Sequence, residues 1–285
     1  MSADVPDIRV VCVTFHPGAE LEDFVTTLSA ASSAPVELVF VENGTDSTVA
    51  RRVAADHGGT VVETGANLGY GGAANRGAAG ARGEWLVLAN PDVQWGPGSL
   101  DELILAARRH PRAGALGPAI LNMDGTVYSS ARALPSLRTG TGHALLVHVW
   151  PGNPWTKAYL TTQESTEGVE REAGWLSGAC LLLRRRAFED VGGFDESYFM
   201  FFEDVDLGDR LARAGWTNVY VPTARVGHDQ GSSWRDKPAA MIHAHHVSAE
   251  QYLRRRYSAW YLFPLRWALA AGLRARSWLQ IRASR

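Results

Sequence analysis

The sequence lacks the features that mark several classes of protein. It has only two cysteines, Cys12 and Cys180, and because each lies in an apolar run we expect buried side chains rather than a disulfide or a catalytic thiol. Its 28 basic and 30 acidic residues nearly cancel, so the net charge indicates no nucleic-acid partner. No apolar run reaches the roughly 18 residues of a membrane-spanning helix, and residues 1–7 lack the basic and apolar regions of a signal peptide. A cytoplasmic location is therefore expected.

The amino-terminal part alternates strand-like and helix-like segments. Apolar, β-branched runs cover residues 8–14, 36–41 and 60–63, and helical spacing covers residues 20–31 and 49–57. Strands that alternate with helices pair in parallel, so the pattern predicts an α/β fold whose mostly parallel sheet is flanked by helices. Ligands bind such sheets at the carboxyl ends of the strands.

Asp92 lies just past the carboxyl end of an apolar run at residues 85–89. Pro91 cannot donate a ladder hydrogen bond and so ends the strand, which leaves Asp92 in a turn. Its carboxylate could face a ligand or a metal, or it could only tie down the loop as an Asx turn. Both interpretations stay open on this segment alone.

A glycine-rich stretch at residues 65–77 precedes a small-residue helix in our interpretation. Glycines let a ligand approach the backbone, and a helix amino end favours an anion. Gly69, Gly71 and Ala74 fit the loose dinucleotide pattern. That fingerprint normally follows the first strand, whereas two strand-helix units come before it here, so an oxidoreductase is disfavoured.

The middle of the chain mixes regular and irregular segments. We predict that Ser99 caps a helix over residues 100–109, that residues 114–121 form a strand, and that Asp124 lies in a hairpin turn. Residues 129–172 are irregular and could fold over a substrate. Residues 173–183 are predicted to form one strand, followed by a solvated turn of arginines at 184–186, and residues 218–221 form a further strand.

Five acids lie between Glu196 and Asp209, among aromatic residues. Glu203 or Asp204 could simply be acids that stabilise the amino end of a helix. An acid beside Phe201 and Phe202 is also partly desolvated, which raises its pKa and makes it a better proton acceptor. The segment therefore offers either helix-capping acids or a general base.

Together these motifs resemble family 2 of the inverting nucleotide-sugar glycosyltransferases, which have the GT-A fold. The resemblance covers nearly the whole chain and rests on residues 65–71, 89–98, 111–118, 174–178, 198–200 and 203–211. It implies transfer of L-rhamnose from dTDP-rhamnose to the 3-hydroxyl of GlcNAc in polyprenyl-diphospho-GlcNAc, a step in making the arabinogalactan-peptidoglycan linker. The alternatives are another sugar or acceptor on the same fold, or a non-catalytic nucleotide-sugar-binding protein.

The resemblance also implies site residues. Asp204 would be the catalytic base, and Asp92 with His228 would bind Mg²⁺ or Mn²⁺, although a lone His after a strand is otherwise usually structural or on the surface. Asp206 and Asp209 would only shape the start and surface of their helix. Residues at the donor nucleotide would be Thr14, Glu42, Asn43, Asn67, Gly69 and Asn90. Residues at the acceptor would be Trp175, Ser177, Gly178 and Glu203. Glu42 and Asn90 stand where the family more often has Asp.

Residues 241–285 differ from the predicted glycosyltransferase domain at residues 1–240, because no acid follows Glu250 and aromatic residues alternate with arginines. Such a helical tail suits the inner leaflet of the cytoplasmic membrane, where a lipid-linked acceptor would be met. Docking of the tail onto the catalytic domain or onto a partner in a homodimer is the alternative. His243, His245 and His246 could bind a metal or could lie on an exposed helix face.

Overall fold

The computed structural model of the protein describes residues 7–135, 168–229 and 238–283. Its strands are β1 (Ile8–Thr14), β2 (Val36–Glu42), β3 (Thr60–Glu63), β4 (Trp85–Ala89), β5 (Val93–Trp95), β6 (Ala113–Leu121), β7 (Val127–Tyr128), β8 (Ala131–Arg132), β9 (Arg171–Ala173), β10 (Trp175–Leu176), β11 (Cys180–Arg184) and β12 (Thr217–His228). Its helices are α1 (Glu20–Ala31), α2 (Thr48–His57), α3 (Gly69–Ala78), α4 (Ser99–Arg109), α5 (Arg185–Asp190), α6 (Glu203–Arg213), α7 (Pro238–Arg256) and α8 (Phe263–Ala283), with a 3₁₀ turn at Trp260–Leu262. No helix within these ranges combines the length and apolar character needed to span a bilayer.

One large sheet runs through the described part of the chain in the order β3-β2-β1-β4-β11-β6-β12-β5. The first four strands of this order pair in parallel, as their alternation with helices predicted, and so do β6 and β12. Strand β11 lies antiparallel between β4 and β6. The register places Thr14 beside Glu42 and Cys12 beside Ala89, so the carboxyl ends of β1, β2 and β4 meet at one edge. The predicted α/β fold with a mostly parallel sheet is confirmed.

Helices cover both faces of this sheet. Alternate residues of β1 explain why: Val10 and Cys12 enter the core on one face, while Val11 and Val13 enter the core on the other. Both cysteines are buried and free, as expected. Because the sheet is buried on both sides, its edge at the carboxyl ends of the strands is where polar side chains can meet a ligand.

The glycine-rich stretch is itself a helix rather than a loop before one. Helix α3 begins at Gly69 and contains the glycines that follow. A Cβ at Gly77 would lie too close to the methyl groups of Val11 and Val41, so the glycine lets the helix approach the sheet closely. The prediction that Ser99 caps the next helix is also wrong. Gly98, in the left-handed region, precedes α4, and Ser99 is the first helical residue.

The single strand predicted over residues 173–183 is two strands in two sheets. Strand β10 pairs with β8, whereas β11 pairs with β4 and β6. The chain changes sheets at Ser177–Gly178–Ala179, beside the candidate site. The arginine turn is also not fully solvated, because Arg184 ends β11 with its guanidinium 4.6 Å from the centre of the Trp85 ring. Of the irregular excursion, residues 136–167 lie outside the described residues.

The carboxyl-terminal helices form a hairpin in which α7 docks onto the catalytic domain. The Ser248 hydroxyl donates to the Met200 carbonyl at 2.7 Å, and Arg256 lies 2.8 Å from Asp209. Asp206 and Asp209 are therefore buried ion-pair residues rather than surface acids, which corrects our prediction. Helix α7 begins at Pro238, slightly before the predicted domain boundary at residue 241. The boundary itself stays a prediction.

Two of the three histidines of α7 make contacts within the protein. His245 lies 5.5 Å and 5.3 Å from the ring centres of Phe201 and Phe202. His246 Nδ1 lies 2.7 Å from the carbonyl of Ile242. Over the described ranges, no three His, Cys, Asp or Glu side chains form a metal-binding group.

Candidate active site

Two predicted nucleotide residues, Thr14 and Glu42, form a buried pair where β1 and β2 end. The Thr14 hydroxyl donates to Glu42 Oε2 at 2.7 Å, and Glu42 Oε1 accepts from the backbone N–H groups of Gly44 at 2.8 Å and His16 at 3.2 Å. His16 has a φ of 51°, a left-handed conformation that this bond helps to hold. In this arrangement the pair shapes the loops of the nucleotide edge, and direct contact with a nucleotide stays a prediction.

Asn43 joins that edge to the start of α3. Its Nδ2 donates to Asn67 Oδ1 at 2.9 Å and to the Gly69 carbonyl at 3.2 Å, and its Oδ1 accepts from the Leu68 N–H at 2.8 Å. Gly69 has a φ of 75°, and a Cβ there would collide with the carbonyl of Phe199. The structure brings Asn43, Asn67 and Gly69 together as predicted. Asn67 is exposed, so its amide can reach a ligand.

The predicted metal residues lie together at the end of β4. His228, the last residue of β12, has its Nε2 3.1 Å from Asp92 Oδ1 and 3.2 Å from Asn90 Nδ2. One Nε2 cannot donate to the carboxylate and accept from the amide at the same time. When Nε2 carries no proton, it and Asp92 Oδ1 are two electron-pair donors 3.1 Å apart, an arrangement that a bound cation stabilises. Mg²⁺ usually takes one or two carboxylates and completes its shell with water and substrate phosphate, so the donor set fits a divalent ion.

Asp204 is held in one orientation by backbone donors at the start of α6. Its Oδ2 accepts from the Gly178 N–H at 3.0 Å, and its Oδ1 accepts from the Val205 N–H at 2.8 Å. Burial raises the pKa of Asp204 above its ordinary range, while these N–H groups favour the ionised form. The result is a positioned carboxylate with increased proton affinity, which is what a general base needs.

Glu203 lies beside Asp204 and is more completely buried, at 8% exposure. Burial, together with the neighbouring charge of Asp204, raises the pKa of Glu203 to about 8. Its Oε2 has no hydrogen-bond partner in the described ranges. Two adjacent carboxyl groups in a dry site do not ionise together easily, so Glu203 keeps its proton when Asp204 is charged.

The turn before α6 is strained. Phe201 and Phe202 have φ values of 66° and 67°, a conformation that costs a bulky residue roughly 1–3 kcal/mol. Phe202 takes the position before the first helical residue. The ring contacts of His245 on α7 hold both phenylalanines, so the tail fixes the turn that aims Asp204.

The predicted acceptor residues surround the break between β10 and β11. The Ser177 N–H donates to the Ser130 carbonyl at 2.7 Å, and Gly178 lies against Asp204. Trp175 packs on α6, where a Cβ at Gly208 would lie only 2.8 Å from the Trp175 Cβ. Trp175, Ser177, Gly178 and Glu203 are thus brought together around Asp204 as predicted. Contact with an acceptor stays a prediction.

Sequence reasoning missed three residues that shape this site. Tyr70 on α3 donates its hydroxyl proton to the Gly178 carbonyl at 2.6 Å and so braces the loop on Asp204. Arg132 is close enough to Asp204 to oppose the effect of burial on the pKa of that carboxyl. His245 holds the strained turn. Only tertiary contacts identify them, although Tyr70 lies inside the glycine-rich segment that we had marked.

The family profile described as "Glycosyltransferase like family 2" matches residues 6–243. The chain is 52% identical to N-acetylglucosaminyl-diphospho-decaprenol L-rhamnosyltransferase of Mycobacterium tuberculosis, over 97% of this chain and 94% of that protein. The match therefore includes almost the full length of both chains.

Solved structures share the fold at low sequence identity. The mannosyltransferase PcManGT from Pyrobaculum calidifontis, in complex with GDP-Man and Mn²⁺, gives a TM-score of 0.59 at 18% identity, over 99% of this chain and 76% of that one. GalNAc-T7 with UDP, GalNAc and Mn²⁺ gives 0.62 at 15% identity, over 88% of this chain and 47% of that one. With the profile match across most of the chain, these results make the protein a GT-A glycosyltransferase of family 2.

Proposed function

We propose that the protein transfers L-rhamnose from dTDP-rhamnose to the 3-hydroxyl of GlcNAc in polyprenyl-diphospho-GlcNAc, with inversion at the anomeric carbon. The observation that carries the proposal is the carboxylate of Asp204, fixed by the Gly178 and Val205 amides. It lies in a chain that is 52% identical to a rhamnosyltransferase with that lipid acceptor in its name. The product would serve as the linker between arabinogalactan and peptidoglycan.

In the proposed reaction Asp204 takes the proton from the acceptor 3-hydroxyl. The oxygen then forms its bond to the anomeric carbon of rhamnose while the bond from that carbon to the departing diphosphate breaks on the opposite face. Burial strengthens Asp204 as a proton acceptor. Glu203 stays protonated and so adds no second negative charge beside the acceptor.

Asp92 and His228 would hold a divalent cation, Mg²⁺ or Mn²⁺. When bound, the ion neutralises charge on the departing diphosphate. Asn43, Asn67 and Gly69 would form the donor side, with Asn90 next to the metal residues. Thr14 and Glu42 would hold the loops of the donor side in place through the hydrogen bonds described above.

The first test is transfer of radiolabelled rhamnose from dTDP-rhamnose to polyprenyl-diphospho-GlcNAc by wild type and Asp204→Asn. We expect transfer to stop on chelation with EDTA and to return with Mg²⁺ or Mn²⁺. Asn keeps the shape of Asp204 but not its proton affinity, so kcat should fall by at least about 10²-fold, while dTDP-rhamnose still binds. Undiminished turnover in Asp204→Asn would exclude this base, and donor binding without turnover in wild type would favour a non-catalytic binding protein.

We also propose that the tail, residues 241–285, brings the enzyme to the inner leaflet of the cytoplasmic membrane. Helix α7 contacts the domain, whereas the second half of the hairpin leaves large aromatic side chains in solvent, with Trp260 85% and Trp267 70% exposed. Phe263, Trp267 and Trp278 fall within about 60° of one another around α8. Exposed aromatics among arginines, with no acid after Glu250, match an anionic lipid surface.

Sedimentation with vesicles tests the membrane proposal. Wild type should pellet with vesicles that contain phosphatidylglycerol and much less with neutral phosphatidylcholine vesicles. Replacing Trp260 and Trp267 together by Ser should release the protein, whereas Met123→Ser, which removes an exposed apolar side chain on the turn between β6 and β7, should not. If the tryptophan variant pellets like wild type, or if it loses a dimer seen in solution instead, the tail does not bind the membrane.

A further inference from the structure

Arg132 is a cation near the proposed base to which the mechanism above gives no role. Its guanidinium lies 5.4 Å from the centre of the Tyr128 ring and 5.5 Å from the centre of the Trp175 ring. Its Nε donates to the Ser129 carbonyl at 2.8 Å, and its Nη2 donates to the Tyr128 hydroxyl at 3.3 Å. These contacts are with neutral groups, so they hold the side chain in place without neutralising its charge.

The absence of an acidic partner distinguishes Arg132 from Arg184 and Arg210. Arg184 also stacks on a tryptophan, but it pairs with Glu84, and Arg210 on α6 pairs with Asp206. Across the part of the chain that the structure describes, no carboxylate lies within ion-pair distance of Arg132. A half-buried guanidinium is stabilised when an anion completes its surroundings, so a bound anionic group is the natural partner.

The segment from Trp175 to Ala179 shows on which side of the site this cation lies. Trp175 pairs with Arg132 across β10 and β8. One residue before the end of the segment, the Gly178 N–H donates to Asp204. At its end the Ala179 carbonyl accepts from the backbone of Asn90 at 2.9 Å. Four residues span at most about 13 Å, so Arg132, the base and the predicted metal loop all contact one short segment, and the contact with the base falls between the other two along it.

We propose that Arg132 binds the diphosphate of the lipid-linked acceptor, an inference that rests on the proposed function. In an inverting transfer the donor diphosphate departs on the face opposite the attacking oxygen. The metal loop binds the donor diphosphate in this proposal. An anionic group bound on the other side of the base is therefore part of the acceptor. The acceptor diphosphate is attached one sugar ring away from the 3-hydroxyl, so holding it fixes where that hydroxyl meets Asp204. A planar guanidinium can bind two phosphate oxygens at once, which suits this role.

Steady-state kinetics with two acceptors test the role of Arg132. We would compare wild type, Arg132→Gln and Arg132→Lys on polyprenyl-diphospho-GlcNAc and on octyl N-acetylglucosaminide, which is neutral. Arg132→Gln should raise KM for the diphosphate acceptor by about 10- to 100-fold, the loss expected for a charged hydrogen-bonding pair. KM for the neutral acceptor and for dTDP-rhamnose should change less than about twofold. Arg132→Lys keeps the charge but not the planar fork, so its KM should fall between the two.

Arg184→Gln is the matched control, because it also removes a guanidinium stacked on tryptophan, at the opposite end of β11 from the site. It should leave both acceptor KM values unchanged, and thermal unfolding of every variant should report any general loss of stability. An equal loss with both acceptors, or a change in KM for dTDP-rhamnose alone, would overturn the role of Arg132. Equal KM values of active wild type and Arg132→Gln for the diphosphate acceptor would also overturn this role. Wild type that uses neither acceptor would instead refute the proposed function.

Discussion

Glu203→Gln should stabilise the protein in a way that depends on pH. In an unfolded chain Glu203 ionises near its ordinary pKa of 4.5, whereas burial beside Asp204 raises the pKa in the folded protein to about 8. Between these values the unfolded chain releases a proton that the folded protein keeps. The free energy of unfolding of wild type therefore falls as the pH rises through this interval. Gln has no proton to release, so the variant lacks this fall.

The difference in the free energy of unfolding follows from the interval between the two pKa values of Glu203. Each pH unit between the two pKa values contributes about 1.4 kcal/mol, so at pH 8.5 the variant gains at most about 4 kcal/mol over wild type, relative to pH 5. We expect about 2–4 kcal/mol, because neighbouring groups relax around a buried charge. The comparison between two pH values also cancels any constant cost of the Gln amide in the pocket.

Urea denaturation at pH 5, 7 and 8.5 measures this difference. Glu172→Gln on β9 is the control, since the side chain of Glu172 is exposed. The Glu203→Gln curve should separate from wild type above pH 5, and the Glu172→Gln curve should follow wild type. Parallel loss of stability by wild type and Glu203→Gln from pH 5 to 8.5 would show that the buried proton we infer at Glu203 is absent.

Three further outcomes are expected. Because burial raises the pKa of Asp204, kcat should fall as the pH is lowered and Asp204 takes up a proton. A pH-rate profile measures this fall, and a kcat that does not change with pH would contradict it. Tyr70→Phe removes the bond to the Gly178 carbonyl and should lower kcat about tenfold with little change in donor KM; an unchanged kcat would show that the brace is dispensable. Gly69→Ala should cost about 2–4 kcal/mol in urea denaturation, because it combines positive φ with a collision at Phe199; Gly58→Ala, at positive φ but in open space, is the control and should cost less.

The spacing of apolar residues correctly predicted those strands, helices and turns that depend only on neighbouring residues in the sequence. The β-branched run at residues 8–14 and the helical spacing at residues 20–31 each match a single period, and the alternation of such segments implies parallel pairing. The same logic placed Asp92 in a turn past the end of a strand. These predictions succeeded because strand, helix and turn at these places need no information from distant residues.

Distant contacts explain where prediction from sequence failed. Residues 173–183 read as one strand because nothing local marks the change of partner from β8 to β4. Glycines at residues 69–77 suggested a loop, but close packing on β1 and β2 makes a helix the better structure. The ion pair of Asp209 with Arg256 joins residues 47 positions apart, so a pattern of acids at the start of α6 could not reveal that one of them anchors the tail.

The position of α7 gives the tail a second role beside the one we propose at the membrane. Phe201 and Phe202 hold a strained conformation immediately before Glu203 and Asp204, and strain of this kind persists only where surrounding contacts maintain it. Helix α7 supplies several of those contacts, through the rings of His245 and Tyr252 and the bond from Ser248 to Met200. Removing the whole tail would therefore release the turn as well as the aromatic surface. Substitutions confined to Trp260 and Trp267 leave these contacts intact, so they separate membrane binding from the geometry of the base.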